Sequence, residues 1–301
     1  MLDRITHPVR RARAGVRERR RRRAELAALR GAVSFQDKVR YKMLADRRPL
    51  LTTFADKVAV RDYVADRVGA DLLPELHLVT DSPEGILRAE LPREFAFKPS
   101  HASGACVVVA DFAPEDAELP ENPDAFAGFV VRPEDADRVR LSRLGAYWLS
   151  RGYRTYEEWA YLNVPRRLLV EELLEVDGAI PLDFKLSVFH GRVRVIQVEF
   201  DRYTNHLRNF YTPEWERLDV AATKYPPGQD VARPGLLDEM VRVAERLGAE
   251  TDYVRVDLYE IGSRIVFGEL TNYPEAGRVE FVPPEFDIEL GRWWTLPEKY
   301  R

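Results

Sequence analysis

An α+β fold built on antiparallel hairpins is predicted for this 301-residue chain by three observations. Alternating apolar and polar runs occur in pairs joined by short turns: FAFK with ACVVVA, DFKLSVF with RVRVIQVEFDR, and YVRVDLYE with RIVFGEL. Helical periodicity is confined to a few stretches, and strands and helices do not alternate one for one. The 45% hydrophobic content is enough for a substantial core spread over two or three subdomains.

The first 30 residues hold eleven arginines against Asp3, Glu18 and Glu25, a local charge of +8 within a chain of net charge −4. The run from Arg19 to Arg23 suits anionic lipid, nucleic acid or another polyanion, or is simply a solvated helix. The remainder is acidic and carries no nucleic-acid-binding motif, so no nucleic-acid partner is expected. No apolar run approaches the roughly 18–20 residues that span a bilayer. The single Cys106 excludes an intramolecular disulfide and cysteine metal clusters. The expected location is cytoplasmic, with weak contact between the arm and the anionic inner membrane surface.

Further along, TTFADKVAVRDYVADRVGA predicts one helix, with Thr53 and Asp56 spaced as a capping box, Val60, Val64 and Val68 on one face, and Gly69 as the stop. LLPELHLV is a short strand. FAFK and ACVVVA form a hairpin, and the segment from Asp111 to Pro133 reads as a loop. RRLLVEELL is a strand ending in acids. DFKLSVF turns at His190-Gly191 into RVRVIQVEFDR. Leu236, Met240, Val243 and Leu247 mark an amphipathic helix between Pro234 and Gly248. The last hairpin precedes a Pro-rich and aromatic tail.

Alternation places Lys98 on the face of its strand opposite Phe95 and Phe97, at the mouth of the small-residue turn PSHASG. A lysine ammonium suits phosphate, and such a turn lets backbone N–H groups approach it; an ordinary exposed lysine is the alternative. In the last hairpin a three-residue loop, Ile261 to Ser263, places Asp257 and Glu269 on one face as diagonal neighbours, where two carboxylates call for a cation such as Mg²⁺. A two-residue loop places them on opposite faces, and Arg255 could instead neutralise Glu269. Asp183 and Lys185 share a face, and Arg202 supplies a further cation beyond the far strand. His101, His190 and His206 lack zinc-site spacing, and Ser103 lacks a nucleophile-elbow pattern.

In chain order, DKVAVRDYVADRVGADLLP, FAFKPSHASG, LLVEELL, DFKLSVFHGRVRVIQVEFDR, HLRNFYTPEW, YVRVDLYEI and FGELTNYPEAG resemble the TupA-like ATP-grasp family over about residues 35–292. The resemblance implies an ATP-grasp fold, in which two α+β subdomains hold ATP between two sheets. It divides the chain into the basic arm (1–34), a small helical region (35–90), a subdomain with the phosphate flap (91–175) and a subdomain with the metal hairpin (176–301). It also implies ATP and Mg²⁺ as cofactors. Lys98, Lys185 and Asp183 would lie at the phosphates, and Ser100, His101, Ser103 and Gly104 would form a mobile flap. Glu171, Glu172, Leu173 and Leu174 would be the adenine hinge, and Arg202 would face the γ-phosphate or an acyl phosphate. Asp257 and Glu269 would hold the metal. Where many ATP-grasp enzymes read Glu-x-Asn, this chain has Thr271 with Asn272 one position later, so the third ligand is one of these two.

Such relatives activate a carboxylate as an acyl phosphate and pass it to an amine. The resulting expectation is an ADP-forming carboxylate–amine ligase that joins an amino acid to a sugar acid or other intermediate of a cell-surface polymer or secondary metabolite. Arg208 and Arg255 are expected near the substrate carboxylate. The rivals are a kinase acting on a hydroxyl and a catalytically silent binding module. Retention of Lys98, Lys185, Asp257 and Glu269 argues against the silent module.

Overall fold

The computed structural model describes residues 20–153, 158–200 and 205–300. After a helical stretch over residues 20–29, three helices follow: α1 (Phe35–Ala45), α2 (Pro49–Ala55) and α3 (Ala59–Val68). Ser34 caps α1 by accepting a hydrogen bond from the Asp37 N–H at 3.2 Å. The single helix expected around residues 53–69 is two, because Pro49 starts α2 early and Asp56 breaks the run. Thr53 lies inside α2 and caps nothing. The Asp56 carboxylate accepts from the Val58 N–H at 2.9 Å and from Arg167 at 2.6 Å. A tertiary ion pair thus takes the side chain that the local pattern assigned to a cap.

The first sheet contains β1 (Leu76–Thr80), β2 (Phe95–Pro99), β3 (Cys106–Val109), β4 (Gly128–Val131) and β5 (Leu168–Glu171), in the order β1-β5-β2-β3-β4. The β2–β3 hairpin forms as expected. β4 corrects the reading of 111–133 as loop: it pairs parallel to β3, and a parallel neighbour leaves no hairpin signal in the sequence. β1 lies in the expected helical lead-in region yet pairs with β5. Helix α4 (Arg138–Ser150), which the sequence reading did not single out, covers one face, where Leu141, Leu144 and Trp148 pack with Phe97, Val107 and Val170.

The second sheet is antiparallel throughout, in the order β11-β10-β6-β7-β8. Its strands are β6 (Asp183–Phe189), β7 (Arg192–Phe200), β8 (Leu207–Tyr211), β10 (Tyr253–Ile261) and β11 (Arg264–Thr271). Helices α3 and α5 (Leu237–Leu247) bury its apolar face: Val60 and Val64 of α3 and Met240 and Leu247 of α5 pack with Leu186, Val198, Val256 and Leu258. On the opposite face, α1 and α6 (Glu285–Arg292) cover one end through Phe35, Val39, Phe286 and Leu290 against Phe189, Phe210 and Tyr253. The rest of that face is polar. A two-stranded pair, β9 (Ala221–Ala222) with β12 (Phe281–Val282), lies beside it. Among the described residues, no helix is long and apolar enough to cross a membrane.

The β10–β11 turn differs from the expected three-residue loop. Ile261 pairs with Arg264, so the turn is Gly262-Ser263, and Gly262 takes a φ of 60°. Two residues alone would set Asp257 and Glu269 on opposite faces. A bulge at Gly268 restores the phase, and Asp257 pairs directly with Glu269.

Candidate active site

The polar face of the second sheet follows from strand alternation. Arg255 and Asp257 point from β10, Asp183 and Lys185 from β6, Glu199 from β7, and Glu269 and Thr271 from β11. Lys185 Nζ donates to Asp183 Oδ2 at 2.5 Å and to Asp257 Oδ2 at 2.6 Å. Arg255 donates to both oxygens of Asp257 at 2.7 Å, to Glu269 Oε1 at 3.1 Å and to Thr271 Oγ1 at 3.0 Å. Two carboxylates and a hydroxyl therefore converge on one cationic point. Asp183, Lys185, Arg255 and Asp257 are all buried. Each is ion-paired and hydrogen-bonded, which offsets the cost of burying charge.

The first sheet answers with opposite charge. Lys98 Nζ reaches Glu171 Oε2 at 2.5 Å, and Arg61 of α3 reaches Glu171 Oε1 at 3.2 Å. Burial works against the Lys98 charge, but the Glu171 carboxylate outweighs it and the pKa rises. Lys57, in the break between α2 and α3, was missed by the sequence reading. Its ammonium donates to the Ala102 carbonyl, and burial pulls its pKa down. Lys57, Arg61, Lys98, Tyr161, Glu171 and Glu269 line one recess between the sheets. The signal for Lys57 was its place in DKVAVR just before a helix, but helical periodicity there suggested only a continuous helix.

The structure corrects several expected roles. Ser100 and His101 are tied down and buried. Ser100 Oγ donates to the Pro165 carbonyl at 2.7 Å and accepts from the Arg167 N–H at 3.0 Å. His101 Nε2 lies 3.1 Å from the carbonyls of Trp148 and Arg151, at the C-terminal end of α4. Only the far side of the turn, at Ser103 and Gly104, is open to solvent, and Gly104 has a φ of 76°. Arg255, expected near the substrate carboxylate, donates through Nε and Nη2 to two acids and a hydroxyl. Asn272 faces away from Glu269 and donates to the Leu51 carbonyl at 2.8 Å, whereas Thr271 Oγ1 donates to Glu269 at 3.0 Å.

The adenine-hinge expectation also changes in detail. Glu171 ends a strand paired on both sides, so its backbone offers no free edge. Glu172 is engaged as well: its N–H donates to the Glu75 carbonyl at 2.9 Å, and its carboxylate receives both Arg264 nitrogens, at 3.2 and 3.0 Å. Leu173 and Leu174 lie beyond the ladder. Arg202 lies outside the described residues. Arg208 is buried on β8, with Nε donating to Glu199 at 2.8 Å. Burial disfavours the Glu199 anion, but hydrogen bonding with His206 and the Arg208 charge bring its pKa down to about 2.

Near the recess, burial and then the Glu269 charge push the Glu158 carboxyl up to about 8. Glu158, too, carried no sequence signal. Among the described residues, no group of three or more His, Cys, Asp or Glu is placed to hold a metal. Asp257, Glu269 and Thr271 bring hard oxygen atoms together around the Arg255 guanidinium.

Two five-stranded sheets with a recess between them, lined by Lys98 and Glu171 from one, Glu269 from the other and Lys57 and Arg61 from the α2–α3 region, are the arrangement of an ATP-grasp fold. A sequence model of TupA-like ATP-grasp proteins matches residues 37–294, and the chain belongs to that family. No curated protein matches it. Among solved structures it is similar to the ATP-grasp ligase PsnB complexed with minimal precursor, at 15% identity and a TM-score of 0.39 over 75% of this chain and 53% of that one. It is similar to D-alanine–D-alanine ligase from Bacillus anthracis at 14% identity and a TM-score of 0.38, over 74% and 59%. C-terminally truncated Cdc123 from Schizosaccharomyces pombe gives 9% identity and a TM-score of 0.38, over 76% and 88%. The matched part is little more than half of the PsnB chain.

Proposed function

We propose that this protein is an ATP-dependent, ADP-forming carboxylate–amine ligase. The observation that carries the reading is the convergence of Lys57 and Lys98, from one side, on the recess that Glu269 lines from the other. Lys57 and Lys98 would take phosphate oxygens, and Lys185 would hold Asp257 in place beneath them. Asp257, Glu269 and Thr271 would hold Mg²⁺, which when bound supplies positive charge to the phosphates. In the chemistry proposed, a carboxylate oxygen attacks the γ-phosphorus and ADP departs. An amine nitrogen then attacks the acyl carbon, phosphate leaves and the amine gives up a proton.

Arg208 would face the substrate carboxylate, and an amino acid with a sugar acid, or with another intermediate of a surface polymer or secondary metabolite, is the proposed pair. The exposed Arg20 to Arg23 would give the arm its weak affinity for an anionic inner membrane surface, with the protein otherwise cytoplasmic. Co-sedimentation with phosphatidylserine vesicles should fall when residues 1–30 are deleted.

The test of the activity is ADP release from Mg-ATP with pooled amino acids and sugar acids, scoring hydroxamate formed with hydroxylamine. ADP together with hydroxamate, both lost in Asp257→Asn, supports the ligase. ADP without hydroxamate supports a kinase acting on a hydroxyl, and ATP binding without turnover supports a binding module.

A further inference from the structure

Arg208 and Glu275 meet across the full width of the second sheet. Arg208 sits on β8, at one edge, while Glu275 follows β11, at the other. The chain after Thr271 must arch over the sheet to bring Glu275 Oε1 to 2.8 Å from Arg208 Nη1. That arch is held firmly. Glu275, Ala276 and Gly277 take successive φ values of 45°, 53° and 66°, a left-handed run that residues bearing a Cβ rarely adopt. A Cβ on Gly277 would lie 2.6 Å from the Gln36 carbonyl oxygen, so the turn is seated directly on α1.

Arg208 does not need Glu275 to stay in place. Its Nε is held by Glu199 from behind, and its guanidinium lies 4.1 Å from the Tyr225 ring centroid. The Arg208 and Glu199 side chains are 4% and 1% exposed, whereas that of Glu275 is 30% exposed. Among the described residues, this fixed cation thus has one outward bond, and a partly exposed carboxylate of the same chain makes it.

We propose that Glu275 is an internal surrogate for a substrate carboxylate, occupying Arg208 until a small carboxylic acid, such as an amino acid or a sugar acid, displaces it. The inference rests on the reading that Arg208 faces a substrate carboxylate. Glu275 then sets specificity. A ligand gains from Arg208 only if it brings a carboxylate able to replace the internal one, and ligands without such a group meet a site already satisfied.

The test is isothermal titration of L-glutamate and D-glucuronate into wild type, Glu275→Gln and Glu275→Gln/Arg208→Lys, with Mg-ATP binding and thermal unfolding measured on each. Glutamine keeps the shape and removes the charge. The expected result is one probe bound roughly tenfold more tightly by Glu275→Gln than by wild type, the ratio expected when a charged hydrogen-bond partner becomes neutral. Mg-ATP affinity should be unchanged, and the gain should vanish in the double variant. Equal or weaker binding by Glu275→Gln, a gain that survives Arg208→Lys, or no binding of either probe to Glu275→Gln would overturn the proposal. Failure of wild type to bind Mg-ATP would instead count against the ligase reading, and the carboxylate comparison would still decide the role of Glu275.

Discussion

Asp257 and Glu269 stand directly opposite each other on β10 and β11, although their two-residue turn would by itself place them on opposite faces. Gly268 makes the difference. A Cβ there would approach Tyr259 Cε2 to 2.9 Å and the Asp257 carbonyl oxygen to 3.0 Å, so the bulge has room only for glycine. Gly268→Val should destabilise the fold by about 1–3 kcal/mol and abolish Mg²⁺-dependent ATP binding. Chemical denaturation and titration with Mg-ATP check this. Unchanged ATP binding in a folded variant would show that the shared face is not what the nucleotide requires.

Thr271 and Asn272 should separate cleanly. Thr271→Val removes an oxygen next to Glu269 and should weaken Mg²⁺-dependent ATP binding while costing little stability. Asn272→Ala frees the Leu51 carbonyl and should cost about 1–3 kcal/mol with Mg²⁺ dependence intact. The reverse pattern in melting and Mg²⁺ titration would make Asn272 the metal-side residue.

Asp252 predicts acid sensitivity. Burial opposes its ionisation, but the Lys42 charge and hydrogen bonds from Lys42, Tyr300 and Trp294 hold its pKa down at about 2. A depressed carboxyl contributes stability above its unfolded pKa and loses it as pH falls through the folded value. The contribution is about 2 kcal/mol, present at neutral pH and lost between roughly pH 4 and pH 2. Asp252→Asn should lower neutral-pH stability and flatten the acid limb of an unfolding series. A limb as steep as wild type would assign the acid loss to other groups.

Glu158 predicts the opposite behaviour at alkaline pH. Its carboxyl is raised to about 8, so the folded state keeps a proton that the unfolded chain releases near pH 4.5. Stability should fall as pH rises through that window, by up to about 5 kcal/mol. Glu158→Gln should be more stable than wild type at pH 9 and nearly equal to it at pH 4. Parallel curves for the two proteins would show that Glu158 is charged at neutral pH.

The sequence by itself determined the hairpins, the faces that Lys98, Asp183, Lys185, Arg255 and Asp257 take along their own strands, and the family pattern of Lys98, Lys185, Asp257 and Glu269, whereas the face of Glu269 was set by the bulge at Gly268. Period-two alternation and a two-residue turn such as His190-Gly191 are local, so they are legible without the fold. Tertiary structure alone decided what depends on contacts distant in sequence. β4 pairs in parallel and leaves no turn signal, and Asp56, at the break between α2 and α3, is joined by Arg167 from 111 residues away. Lys57 reaches the recess only because the break between α2 and α3 sits beside the Ser100 to Gly104 turn, where its N–H donates to the Ser100 carbonyl at 3.3 Å. Which cations bridge to distant acids was likewise set by packing, since Lys185 reaches Asp257, Arg255 reaches Glu269 and Arg208 reaches Glu199 and Glu275 only when separate strands and turns are brought together.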